Sequence, residues 1–110
     1  MSILLVGTGP MASDYADVLQ HLNLPFEVVC RSEESASRFY QKYKIKCVSG
    51  GLNSEVHSGD RYSSVIVAVD IGSLFGVTKF LLNSGIRNIL LEKPASLYLA
   101  EIEQLLALSR

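Results

Sequence analysis

Ile3-Leu4-Leu5-Val6 runs straight into Gly7-Thr8-Gly9-Pro10-Met11-Ala12, so an aliphatic strand signal, a glycine-rich turn and a helix start follow one another at the head of the chain. A short aliphatic and β-branched run without polar alternation is how a strand buried on both faces of a parallel sheet reads. The turn is G-x-G-x-x-A, and each small residue has its own duty. Gly7 permits the tight exit from the strand, Gly9 removes a Cβ where backbone would approach a pyrophosphate, and Ala12 lets the helix lie close on the strand. The first N–H groups of a helix have no intrahelical partner and sit at the positive end of its dipole. They make an anion site, and Pro10 gives up only a donor that the helix does not use. Residues 7–12, Thr8 and Met11 included, are therefore predicted to hold the phosphates of a dinucleotide.

The rest of the chain repeats the alternation. Met11, Tyr15, Val18, Leu19 and Leu22 share a helical spacing and are expected to form the buried face of the first helix, which Asn23 and Pro25 end. Phe26-Glu27-Val28-Val29-Cys30 reads as a second strand. Ser32 is placed to cap a second helix that has Glu33 and Glu34 in its first turn and Ala36, Phe39, Tyr40 and Tyr43 on its apolar face. Ile45–Val48 reads as a third strand, followed by a polar stretch with little pattern. Val65–Val69 is the strongest strand signal, and a helix carrying Leu74, Val77, Thr78, Leu81 and Leu82 follows, with Gly85 at its left-handed end. Ile89-Leu90-Leu91 is a fifth strand. Ser96 is expected to cap a last helix that is apolar on more than one side, through Leu97, Leu99, Ile102, Leu105, Leu106 and Leu108. Strands alternating with helices, without repeats or linkers, predict one doubly wound α/β domain on an open parallel sheet.

Composition narrows the function. Ten Lys and Arg against eleven Asp and Glu leave a net charge of -1, which argues against nucleic acid or an anionic membrane as partner. No apolar run nears the length of a membrane span and no signal peptide is evident, so a cytoplasmic protein is expected. Cys30 and Cys47 sit in apolar segments as buried thiols, and His21 and His57 stand apart from any ligand set, so no metal is expected. A nucleophile elbow and a P-loop lysine are both missing, which sets hydrolases and nucleotidases aside.

The choice of dinucleotide falls at the end of the second strand, where NAD-specific domains place an acid against the ribose 2′-hydroxyl. Cys30-Arg31-Ser32 stands there instead. Arg31 offers a planar, permanent charge for a phosphate and Ser32 a hydroxyl donor, so NADP is expected over NAD. Arg31 as a plain solvated turn residue, with Glu33 taking a ribose hydroxyl, is the other reading of the same residues.

Glu92-Lys93-Pro94 follows directly on the fifth strand. With the G-x-G-x-x-A turn, the strong fourth strand and the helix ending at Gly85, the ordered set resembles the Gfo/Idh/MocA oxidoreductases over nearly all 110 residues. The resemblance implies an N-terminal NAD(P)-binding Rossmann domain. It further implies hydride transfer between the nicotinamide and a hydroxyl or carbonyl carbon of a sugar-like substrate. On its terms Lys93 is the catalytic residue at the substrate oxygen, Glu92 orients the loop beside the cofactor, and Pro94 fixes its path. Where the family commonly has Thr-Pro after the fourth strand, this chain has Val69-Asp70-Ile71-Gly72-Ser73, so Val69 and Asp70 are nominated there. The family's second domain, with the substrate pocket and most of the oligomer interface, is not in these residues. Residues 1–110 are therefore expected to be the cofactor half of a longer enzyme, inactive alone. The alternative is a free-standing nucleotide-binding sensor that pairs through its last helix, in which Glu92-Lys93-Pro94 has no chemical duty.

Overall fold

A computed structural model describes residues 2–51, 62–86, 88–91 and 99–109. In chain order the elements are β1 (Ser2–Val6), α1 (Pro10–His21), β2 (Phe26–Val29), α2 (Glu33–Tyr43), β3 (Cys47–Val48), β4 (Tyr62–Val67), α3 (Ile71–Asn83), β5 (Ile89–Leu91) and α4 (Leu99–Leu108). Every strand pairing among them is parallel, in the order β3-β2-β1-β4-β5. The expected doubly wound α/β architecture is the one observed.

The aliphatic runs divide between the two faces of the sheet by the period of two. Leu5, Val28, Ile66 and Ala68 face one way, into a core shared with Ala12, Ala16, Leu19, Phe39 and Tyr43 of α1 and α2. Leu4, Val6, Val29, Val65 and Val67 face the other way, into a core with Leu74 and Leu81 of α3. Both helical ends anticipated from sequence are left-handed turns. Asn23 has φ 57° and Gly85 φ 88°, and the next N–H groups, of Leu24 and Ile86, reach back to the carbonyls of Leu19 and Leu81 at 3.0 and 3.2 Å. This pattern closes the open carbonyls at a helix C-terminus.

Three expectations need correction. Of the expected face of α1, Tyr15 packs against the core and Leu19 is buried, but Met11, Val18 and Leu22 are 47, 55 and 57% exposed, and the helix buries Ala12, Ala16 and Leu19. Those three also recur at helical spacing, and the two alanines bring the helix axis closer to the sheet than larger side chains allow. Strand β3 is only Cys47–Val48, because Lys44 turns left-handed at φ 59° after α2 and Ile45 packs against the core before pairing begins. Strand β4 starts earlier than expected, at Tyr62 opposite Ser2, with an irregularity in register before Ile3, and ends at Val67. The last helix begins among the described residues at Leu99, and Ser96 and Leu97 lie outside them. There Leu105 is buried, Ile102 and Leu108 are partly covered, and Leu106 is exposed.

Candidate functional site: a cleft at the carboxyl edge of the sheet

In an open parallel sheet the strand that reverses the winding leaves a crevice at its carboxyl end, between helices that depart to opposite faces. Here that strand is β1, flanked by β2 and β4. A cleft of about 700 Å³ opens there, lined from β1 and its turn by Val6, Gly7, Thr8, Gly9, Pro10 and Met11, from the tip of β2 by Val29, Cys30 and Arg31, and from the segment between β4 and α3 by Ala68, Val69 and Asp70.

The turn follows from its residues. Gly7 has φ +117°, and a Cβ built on it would stand 2.2 Å from the carbonyl oxygen of Ala68, so the backbone conformation and the neighbouring strand both require glycine. Gly9 is different. Its φ and ψ of -82° and -169° suit any residue, and a Cβ there meets nothing within 4 Å. The protein's own packing makes no demand for glycine at this position, and the open space lies at the first turn of α1. Gly9 is the N-cap yet has no side chain with which to cap, and Pro10 is the first helical residue. The leading N–H groups are thus left to whatever sits in the cleft. Ala12 is fully buried behind the turn and does not line the cleft. This arrangement fits a pyrophosphate: a donor-rich helix start and a missing Cβ, both within one cleft.

The tip of β2 is held by backbone bonds from the glycines after β3. Gly51 N–H donates to the Cys30 carbonyl at 2.9 Å and Gly50 N–H to that of Arg31 at 3.2 Å, with positive φ at both glycines. Arg31 is exposed and its guanidinium donates from Nη2 to Ser73 Oγ, while Ser73 Oγ donates to Asp70 Oδ1 at 3.0 Å. Ser32 lies beside the cleft, not in its lining. Its hydroxyl caps α2 by accepting from Ser35 N–H at 3.2 Å, and Ser35 lines the cleft in its stead. Glu33, in the first turn of α2, is also absent from the lining. Cys30 is a free thiol whose pKa burial raises, against a weaker lowering by the Ser32 backbone, and burial pushes Cys47 up to about 11. Both stay protonated near neutral pH and offer no nucleophile.

Sequence reading did not nominate Ser35, Gly51, Gly76, Val77 or Phe80, all of which line the cleft. Val77 was legible only as a helix-packing residue and Phe80 was not singled out, because which part of α3 overhangs the cleft depends on how the helix crosses the sheet. Glu92 and Lys93 lie outside the described residues. The strand before them is described: β5 runs parallel to β4, with Leu91 opposite Val67, so the chain leaves β5 at the same edge as the cleft.

A G-x-G-x-x-A turn between β1 and α1, at the switch point of an all-parallel sheet, defines a Rossmann domain that binds a nicotinamide dinucleotide. The chain belongs to the Gfo/Idh/MocA oxidoreductases. The sequence profile of that family, described as an oxidoreductase family with an NAD-binding Rossmann fold, matches residues 1–110. No curated protein matches the chain. Among solved structures, GenD2 from gentamicin A biosynthesis in complex with NAD superposes with TM-score 0.82 at 23% identity, over 99% of this chain and 31% of its own. UDP-N-acetylglucosamine 3-dehydrogenase from Acidithiobacillus ferrooxidans gives TM-score 0.79 at 17% identity, over 99% of this chain and 34% of its own. Biliverdin reductase from Synechocystis sp. PCC 6803, in complex with biliverdin and NADP+, gives TM-score 0.75 at 21% identity, over 99% and 34%. At these identities the likeness is one of fold. The chain spans about a third of the length of the solved structures it matches.

Proposed function

We propose that this domain takes NADP(H) in preference to NAD(H), and that it is the N-terminal cofactor half of a longer two-domain oxidoreductase acting on a hydroxyl or carbonyl carbon of a sugar-like substrate. The observation that carries the cofactor preference is Arg31 in the lining of the cleft at the tip of β2, with no carboxylate from that tip beside it. A guanidinium pairs two oxygens of a phosphate in one plane, whereas NAD-specific sites set an acid there. The two-domain reading is supported by the third of each solved relative that the chain covers. A sugar-like substrate is supported by the family and by a relative that is a UDP-N-acetylglucosamine dehydrogenase.

The nicotinamide, when bound, supplies or accepts hydride at C4. The rest of the chemistry belongs to side chains. Gly7, Thr8, Gly9, Pro10 and Met11 receive the pyrophosphate on the start of α1, with Ala12 holding the helix close behind. Arg31 meets the 2′-phosphate, and Ser32 holds the start of α2 beside it. Val69 and Asp70 flank the cofactor on the β4 side. Lys93 follows the end of β5 by two residues, and in this reading its ammonium donates to the substrate oxygen as negative charge develops there, with Glu92 orienting the loop.

Calorimetric titration of both cofactors tests the preference. NADP(H) is expected to bind about tenfold or more tightly than NAD(H), and Arg31→Ala to remove that advantage, since a charge-assisted hydrogen bond contributes about 1.5–3 kcal/mol. Tighter binding of NAD(H), or an Arg31→Ala variant with unchanged NADP(H) affinity, overturns the assignment.

A further inference from the structure

The bond from Arg31 to Ser73 crosses the cleft. Arg31 follows β2 and Ser73 lies in the first turn of α3, which follows β4, and between those two strands stands β1, whose turn forms the floor. Neighbouring strands lie about 4.8 Å apart, so the bridge spans roughly 10 Å over the end of β1. Arg31 and Asp70 both line the cleft, one at each end of this span.

Two features set the bridge apart from the contacts that hold the fold. The hydrogen bond is between exposed side chains, which contribute little to stability. Asp70 occupies the N-cap position of α3, where an Asp usually accepts from the backbone of the first turn, yet its side chain makes no cap bond. Its carboxylate accepts from the Ser73 hydroxyl instead, at 3.0 Å. The single Ser73 proton is thus committed to Asp70, and the hydroxyl lone pairs are turned to the guanidinium. Both ends are anchored through backbone: Gly50 N–H on the Arg31 carbonyl at 3.2 Å, and Ser73 N–H on the Asp70 carbonyl at 2.9 Å.

We propose that Ser73, backed by Asp70, is a positioning residue for Arg31: it holds the guanidinium over the cleft in the orientation from which it receives the cofactor's ribose phosphate, and so sets the preference for NADP(H) over NAD(H). This rests on the assignment of Arg31 to the 2′-phosphate. The physical basis is preorganisation. A free arginine on a strand tip loses rotamer freedom when it engages a ligand, and one already pinned by a hydroxyl loses less. The expectation is specific to the phosphate, because only Arg31 acts through the bridge.

The test is a double-mutant cycle read as NADP(H) and NAD(H) affinities by calorimetry, with Arg31→Ala, Ser73→Ala, the pair, and Ser73→Thr, which keeps the hydroxyl. Ser73→Ala is expected to lower the NADP(H)-to-NAD(H) affinity ratio about fivefold, to have no further effect on that ratio in the Arg31→Ala background, and to be rescued by Ser73→Thr. Circular dichroism confirms that each variant is folded before titration. An effective Arg31→Ala beside a silent or affinity-raising Ser73→Ala overturns the positioning role and leaves the NADP(H) assignment standing. Equal losses for both cofactors on Ser73→Ala also overturn the role, since they mark a general disturbance of the cleft. A silent Arg31→Ala overturns the NADP(H) assignment and this inference with it.

Discussion

Gly7 and Gly9 stand two residues apart in one turn, and their surroundings in the folded chain differ. Gly7 carries a positive φ and a contact with the Ala68 carbonyl that leaves no room for a Cβ; Gly9 has ordinary angles and empty space beside it. Gly7→Ala is therefore expected to destabilise the domain by about 3 kcal/mol or more, as strained backbone and a clash combine. Gly9→Ala should leave the unfolding free energy from urea titration within about 0.5 kcal/mol of the parent while weakening NADP(H) and NAD(H) alike by about tenfold or more. Unfolding curves and titrations on the same two variants check both halves. Both glycines were legible as a motif, because close backbone approach and a tight turn exclude every larger residue. The motif also gives Gly7 the turn and Gly9 the open approach to a ligand; that the Ala68 carbonyl closes the space beside Gly7 was not legible, because it depends on where the chain leaves β4. The same holds for Arg31, readable as a cation at a strand tip, whose engagement with Ser73, 42 residues on, requires β2 and α3 to meet across β1.

Among the elements, helix α1 is the instructive case. Two apolar stripes run along it at helical spacing: the expected Met11, Tyr15, Val18, Leu19 and Leu22, whose larger side chains bury more surface but of which only Tyr15 and Leu19 pack on the core, and Ala12, Ala16 and Leu19. The sheet takes the alanine stripe. Ala12 and Ala16 are fully buried, in one core with Leu5 of β1 and Ile66 of β4. Ala16→Leu is accordingly expected to destabilise by about 1–3 kcal/mol through overpacking, and Val18→Ser to change stability by less than about 0.5 kcal/mol; chemical denaturation of the two variants decides which stripe faces inward. The strand runs were readable from composition alone, since a parallel strand covered on both faces has no alternation to interpret. Their ends were less so: β4 extends back to Tyr62 because Ser2 is there to pair with it.

At the scale of the molecule, the cleft draws its walls from β1, α1, β2, β4 and α3, so a ligand in it joins elements from both faces of the sheet. Binding restricted to the folded state adds about 2.7 kcal/mol at a hundredfold excess over Kd, and a chain of this length gains about 4–8 °C per kcal/mol. Saturating NADP(H) should therefore raise Tm by on the order of 10 °C or more, measured by differential scanning fluorimetry, with NAD(H) at the same concentration giving the smaller shift. Among the described residues no helix is long and apolar enough to cross a membrane.

The amino-acid order alone determined the alternation of strands and helices, the parallel sheet, the phosphate-binding turn and the family. Each of these is encoded in neighbouring residues: an aliphatic run, a helical period, a glycine at a forced turn. Tertiary structure decided what depends on residues far apart in the chain. It chose the buried stripe of α1, brought Ser35, Gly51, Val77 and Phe80 to the cleft, joined the Asp70 carboxylate to the Ser73 hydroxyl, and set Arg31 across the mouth of the site. The physical reason is that packing selects among locally equivalent faces by shape and distance, and no spacing within a single element carries that information.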